Sequence, residues 1–387
     1  MIAIVLGVVL AAPLAPDCAT TACAPPVSFE APAEANVTVR WNVFAREHAV
    51  GMKSPSFRMF ALLSIAQAKA GAAEEAREPG ARGGALVDAA IVGASAAALR
   101  GSFPQATGAI DKLRAQSLRE LSREAALAPK LEEAAQRGAA IAASVLAGAG
   151  KSESSHAPSL PTHGTAVWRP LAGEGIDGFQ DQFLPPFAPA AVDAGAPADP
   201  PAADSPAFKA ALAETVRLSQ ARTADQARDA NHWGGKAKGE VTPGLWNGIA
   251  DEIATRRKLP AHEAAKLLAA MNASVHDAAI ACFRAKYKHW LARPTMMSKD
   301  VKPLLHVPSF PSYPSAHACL SGAASEALAA AVPEEKAHVD ALAQEAAWGR
   351  VIAGLHYRFD GESGLALGHK VAAGLLATQK QGGAGLL

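Results

Sequence analysis

Apolar positions along most of this chain recur every three and four residues rather than every two, which is the spacing of helix faces. Order begins near Arg40 to Val50, and Ser54-Pro55 reads as an N-cap and helix-compatible proline before a helix over Phe57 to Ala73, where Phe60, Leu63, Ile65 and Ala68 fall on or near one face. The pattern predicts further helices at roughly 84–100 and 107–149, the latter broken near Pro129. Helices resume at Ser205-Pro206, run past Trp233, restart at Thr242-Pro243 and include a long segment from Pro260 to Leu291. After a Pro- and Ser-rich loop, three more helical patterns cover roughly 315–331, 334–353 and 362–378. No fixed-period repeat is present.

Residues 151–205 break this rhythm with Pro, Gly, Ser and Asp, a length unusual for an ordinary connection. Trp168, Phe179, Phe183 and Phe187 within it favour a loop wrapped on the protein over a free linker. The expected organisation is therefore all-α, two packed helical bundles: an N-terminal helical region at 36–150, the wrapping loop at 151–205 and a C-terminal helical domain at 206–380. Alanine dominates the apolar residues and aromatics are only 5%, which suits closely packed helices rather than sheets.

The 37 Lys and Arg residues nearly balance 36 Asp and Glu, so no global field draws the chain to nucleic acid or an anionic membrane. An anion site would have to be a local concentration of positive charge. Residues 1–24 read as a signal peptide, because Ile2 to Leu14 is a short apolar run followed by small residues, although it lacks an N-terminal Lys or Arg. The expected location is periplasmic or secreted, with a cytoplasmic protein as the alternative, and no integral span is expected after signal removal. Cys18 and Cys23 lie in the leader, while Cys282 and Cys319 flank the chemical motifs as either a disulfide or two buried thiols. Their spacing shows no zinc pattern.

The candidate chemistry is confined to three short stretches. Lys286 and Arg293 are seven residues apart, close to two helical turns, so one helix could present both to one anion before Pro294 ends it. The plainer alternative is a solvated basic face with Arg284, Lys288 and His289. Ser315 and His317 follow Pro311 and Pro314 at a predicted helix start, where unpaired N–H groups favour an oxyanion; alternatively Ser315 is only an N-cap and His317 a surface residue. Arg350 and His356 cannot share a face of one continuous helix. Gly354 can end that helix and turn His356 back, with Asp360 four residues later able to fix its tautomer.

In order and spacing, Lys286, Arg293 and Pro294, then Pro314, Ser315 and His317, then Arg350, His356 and Asp360 resemble the tripartite signature shared by vanadium-dependent haloperoxidases and type 2 phosphatidic acid phosphatases. Ala316 replaces its glycine and Gly349 its serine. Softer likeness to the larger bacterial haloperoxidase branch extends over roughly 40–380, at Ser54 to Ala70, Trp168-Arg169-Pro170, Thr223 to Gln226, Thr242-Pro243, Trp246-Asn247 and Ala278 to Tyr287. Phe310 matches an aromatic position beside the oxyanion.

The resemblance implies vanadate held by Lys286, Arg293, Ser315, the Ala316 N–H and Arg350, with His356 as the metal ligand and phosphate able to occupy the same place. It implies His317 as acid and base, Lys286 as the cation polarising the oxidant, and hydrogen peroxide and halide as substrates. The same residues suit a soluble acid phosphatase acting on a phosphomonoester through a phosphohistidine at His356. A third reading is a non-catalytic helical protein that keeps the anion pocket; an oligomer is compatible with all three.

Overall fold

The computed structural model describes residues 30–32, 34–52, 55–77, 84–122, 127–151, 158–162, 164–170, 173–235 and 241–380. Among these, all regular structure is helical, and the β-type pairing consists of an isolated bridge between Val167 and Leu291. The helices are α1 (Val37–Ala49), α2 (Ser56–Arg77), α3 (Ala85–Ser102), α4 (Thr107–Leu121), α5 (Ala128–Gly148), α6 (Pro189–Ala194), α7 (Pro206–Gln220), α8 (Ala224–Trp233), α9 (Thr242–Arg256), α10 (Ala261–His289), α11 (Pro294–Met297), α12 (Ala316–Ala331), α13 (Lys336–Ile352) and α14 (Arg358–Lys380). The proposed signal peptide, the leader cysteines and the Ser54 cap lie outside the described residues.

Local sequence explains most of these boundaries. The 107–149 pattern is interrupted ahead of Pro129, with α4 ending at Leu121 and α5 starting at Ala128, and Pro129 sits in the first turn of α5, where its missing N–H is no loss. The Ser205 side chain accepts from Phe208 N and starts α7, and Thr223 with Gln226 forms a capping box on α8. At the end of α13, Gly354 takes φ +75°, which a Cβ-bearing residue adopts only with strain.

The long helix α10 is the organising element, packed on α2, α12 and α14. One apolar core joins Val39, Val43 and Phe57 of the N-terminal helices to α9, α10, α12, α13 and α14, so the two bundles share an interior. Alanine sets how close the helices come: Ala318, Ala323, Ala324 and Ala327 of α12 are buried. In the N-terminal bundle, a Cβ at Gly93 would fall 1.8 Å from Ala135 O, and one at Gly138 1.9 Å from Ala90 O, so α3 and α5 cross nearly in backbone contact. Helix α3 is the one described helix long and apolar enough to cross a membrane; here it packs against α2 and α5.

Among the described residues, Val167, Trp168, Ile176, Phe179 and α6 pack on α10 rather than hanging free. Trp168 N donates to Trp290 O at 2.6 Å, and Trp168, Phe283, Tyr287 and Trp290 bury one another. Further on, the Asp277 carboxylate accepts from Phe187 N and Ala188 N at 2.9 and 2.7 Å, tying the chain to the middle of α10.

Candidate functional site

The expectation that Lys286 and Arg293 share one helix is not met. Helix α10 stops at His289, where Trp290 adopts a left-handed φ of 51°, and Arg293 is the extended N-cap of α11. The two cations converge nonetheless: each lies 4.8 Å from the Phe310 ring centroid, and each is fully buried. Pro294 therefore starts a helix after the turn instead of ending α10.

Lys286 Nζ donates to three carbonyls, Pro311 O at 2.8 Å, Ser312 O at 3.0 Å and Pro314 O at 2.6 Å. An ammonium has three protons, so this set uses all of them and fixes the loop that delivers Ser315. Burial lowers the Lys286 pKa to about 8.

Ser315 occupies the N-cap of α12, but its hydroxyl makes no capping bond and is buried without a protein partner. Ala316 opens the helix in ordinary helical geometry; among the described residues, positive φ outside glycine occurs at Lys258 and Trp290. A methyl group is thus compatible with this turn, and the substitution for glycine does not distort it. His317, in the first turn, shares a hydrogen bond of 3.0 Å between Nε2 and Trp233 O.

Arg350 enters from the last turn of α13, and its Nη2 donates to Ala230 O. Beyond Gly354 the chain brings His356 to Arg293, with Nε2 2.9 Å from Arg293 Nη1. Its Nδ1 lies 2.8 Å from Asp360 Oδ2, which also accepts from Ser312 Oγ at 2.6 Å and Tyr357 N at 3.2 Å. An arginine can only donate, so Nε2 carries the lone pair and Nδ1 the proton. Ser315 N, in turn, donates to Asp360 O at 2.9 Å, joining the second and third motifs through the backbone.

Lys286, Arg293 and Arg350 are all buried, and the first two act on the buried carboxylate of Asp360. Burial lowers Arg293 and Arg350 to about 10 and raises Asp360 to about 6. Burial, reinforced by the neighbouring cations, holds His356 well below its ordinary value, and burial with Arg350 does the same to His317. Both imidazoles are therefore neutral near pH 7; the Nε2 lone pair of His356 is engaged by Arg293 Nη1, and His317 keeps Nδ1 available to a proton.

The chain is similar to solved structures over nearly its whole length. A bacterial vanadium-dependent iodoperoxidase, described as the first, matches at TM-score 0.72 and 19% identity, covering 91% of this chain and 97% of that one. Apo and holo forms of a bacterial vanadium-dependent chloroperoxidase match at TM-scores of 0.66 and 0.61 and identities of 13% and 14%, covering 90% and 92% of this chain and 96% of each of those. This protein has their fold. No family model matches the sequence, and no curated protein matches it either.

An oxyanion fits what this fold brings together. Arg293 Nη2, Ser315 Oγ and Arg350 Nε are all buried without a protein hydrogen-bond partner. Unpaired buried donors cost about 1–3 kcal/mol each, more when charged, and a tetrahedral oxyanion offers enough acceptors for all three. Sequence reasoning missed Ser312 and the α8 carbonyls of Ala230 and Trp233. Ser312 could have been suspected from its place in the proline-flanked turn, but no sequence pattern marks a distant carbonyl as the partner of Arg350 or His317.

Proposed function

We propose that this protein is a vanadate-dependent haloperoxidase that oxidises halide with hydrogen peroxide. The observation that carries the reading is the set of three unpartnered buried donors, one from each motif, gathered around His356, whose unprotonated Nε2 accepts from Arg293 Nη1. Arg293, Arg350, Ser315 and the Ala316 N–H would hold the oxygens of vanadate, and His356 Nε2, once released by Arg293 Nη1, would be its protein ligand. Bound vanadate supplies a Lewis acid that activates peroxide toward halide without changing oxidation state.

The chain's own residues supply the remainder. Asp360, held by Ser312 and Tyr357 N, keeps the His356 proton on Nδ1. His317 donates its Nε2 proton to the Trp233 carbonyl, leaving Nδ1 as the atom that would accept and release a proton beside the oxyanion pocket. Lys286, engaged by three carbonyls, contributes its charge and the placement of the Ser315 loop; contact with the oxidant requires release of one carbonyl. Peroxidase neighbours in fold support this reading over the phosphatase. Residues 1–24 would direct export of the enzyme, which sequencing of the mature N-terminus checks.

The test is vanadium analysis after reconstitution, with monochlorodimedone halogenation measured for iodide, bromide and chloride. Stoichiometric vanadium with turnover that His356→Ala abolishes is expected. Hydrolysis of p-nitrophenyl phosphate without halide oxidation would instead assign an acid phosphatase with His356 as nucleophile. Phosphate binding with neither activity would assign a non-catalytic anion protein.

A further inference from the structure

Two buried thiols with no part in this chemistry stand directly behind it. Cys282 precedes Lys286 by one turn of α10, and Cys319 follows Ser315 by one turn of α12. Both are fully buried, and their sulfurs are 2.7 Å apart in a thiol–thiol hydrogen bond. Cys282 Sγ also lies 3.9 Å from Pro314 O, the same carbonyl that accepts from Lys286 Nζ at 2.6 Å. The pair thus borders the floor of the oxyanion site.

The surrounding backbone keeps the sulfurs together. Helix α14 presses on α12 through two glycines, where a Cβ would meet Cys319 N at 3.2 Å from Gly364 and Cys319 O at 2.2 Å from Gly368. Separating Cys319 from Cys282 would require α12 to move into α14. The two thiols are also unequal. Burial pushes Cys282 up, but the Cys319 thiol and the Lys286 ammonium bring it below its ordinary value, whereas burial and Cys282 hold Cys319 well above. Cys282 is the sulfur suited to attack, and Cys319 the one that retains its proton.

We propose that Cys282 and Cys319 are a peroxide-reactive dithiol that closes to a disulfide, tying α10 to α12 immediately behind Lys286 and Ser315. The Cys282 thiolate attacks one oxygen of hydrogen peroxide, breaking the O–O bond to give a sulfenic acid and hydroxide. Cys319 sulfur then displaces the sulfenic oxygen as water, its own proton completing that water, and the S–S bond forms. Two thiol sulfurs are oxidised and one peroxide is reduced. Ala316 and His317 at the oxyanion site are partly exposed, and on this proposal peroxide enters by that side.

The experiment uses the full chain carrying Cys18→Ser and Cys23→Ser, so that only this pair remains of the four cysteines. Protein is exposed to added hydrogen peroxide, quenched, unfolded in the presence of iodoacetamide and weighed, then digested. Loss of both alkylation sites, a linked peptide containing Cys282 and Cys319, and recovery with dithiothreitol are expected. In the additional variant Cys282→Ser, Cys319 should lose alkylation on the order of tenfold more slowly. Persistence of both thiols under peroxide that oxidises free cysteine, or oxidation to sulfinic acid without a linked peptide, would overturn the proposal. Equal loss of Cys319 in the Cys282→Ser variant would overturn it too. The readout needs neither vanadate nor halide, so it is separable from the haloperoxidase reading.

Discussion

Asp360 offers the sharpest perturbation, because one oxygen, Oδ2, takes three hydrogen bonds: from Ser312 Oγ, His356 Nδ1 and Tyr357 N at 2.6, 2.8 and 3.2 Å. Asp360→Ala strands all three donors, at about 2 kcal/mol each, a gross loss of about 6 kcal/mol. Against this stands the burial of the carboxylate itself. Its pKa is raised from 3.8 to about 6 even with those hydrogen bonds and the neighbouring cations acting against the rise, so burial alone costs the charged form at least about 3 kcal/mol, which the substitution relieves. The net destabilisation is therefore at most about 3 kcal/mol. With an unfolding entropy of about 0.8 kcal/mol/K for 387 residues, Tm should fall by no more than about 4 °C. Asp360→Asn separates structure from charge. The fixed Tyr357 N–H selects the amide oxygen for the Oδ2 position, so His356 should keep its proton on Nδ1 while losing the anionic partner that makes Nε2 a strong ligand. The expected ordering is near-native stability with weakened vanadate binding for Asn, and loss of both for Ala. Imidazole nitrogen shifts in long-range proton–nitrogen spectra read the tautomer directly. A proton on His356 Nε2 in the native protein, or equal behaviour of the two variants, would refute the reasoning.

Ala316→Gly should leave phosphate and vanadate affinity unchanged, because Ala316 already has helical backbone geometry, and should lower stability by about 0.5–1 kcal/mol in chemical denaturation. Gly93→Val, which would place a Cβ 1.8 Å from Ala135 O, should force α3 from α5 and cost more than about 3 kcal/mol; a soluble variant with an unchanged Tm would contradict the close crossing. His276 is fully buried between Phe57 and Phe187, and burial holds its pKa below the ordinary 6.5. Below that value the unfolded chain binds a proton that the folded chain refuses, so stability falls as pH drops. Relative to His276→Phe, the native protein should lose up to about 1.4 kcal/mol per pH unit below 6.5, measured by urea unfolding, and parallel pH profiles would exclude the effect.

What could be read from the sequence, and what could not, divides by whether the signal is local. Gly354 was legible because its φ of +75° is a property of one residue, and it places His356 where a continuous helix could not. Helix ends set by tertiary contacts were not. Trp290 ends α10 in a left-handed conformation costing about 1–2 kcal/mol, with no glycine or asparagine to announce it. Its indole is buried with Trp168 and Tyr287, and its carbonyl receives Trp168 N from a loop more than a hundred residues earlier. That distant packing offsets the local cost, which is why the seven-residue spacing gave the right convergence of Lys286 and Arg293 for the wrong reason. The same limit applies at the site's edge. Side-chain types name the charges, but the carbonyls that engage Lys286, Arg350 and His317 carry no sequence signature, and they decide which donors remain for a ligand. The motif therefore identifies the cations, while the hydrogen-bond census separates those already satisfied from Arg293 Nη2, Ser315 Oγ and Arg350 Nε, which still lack a partner.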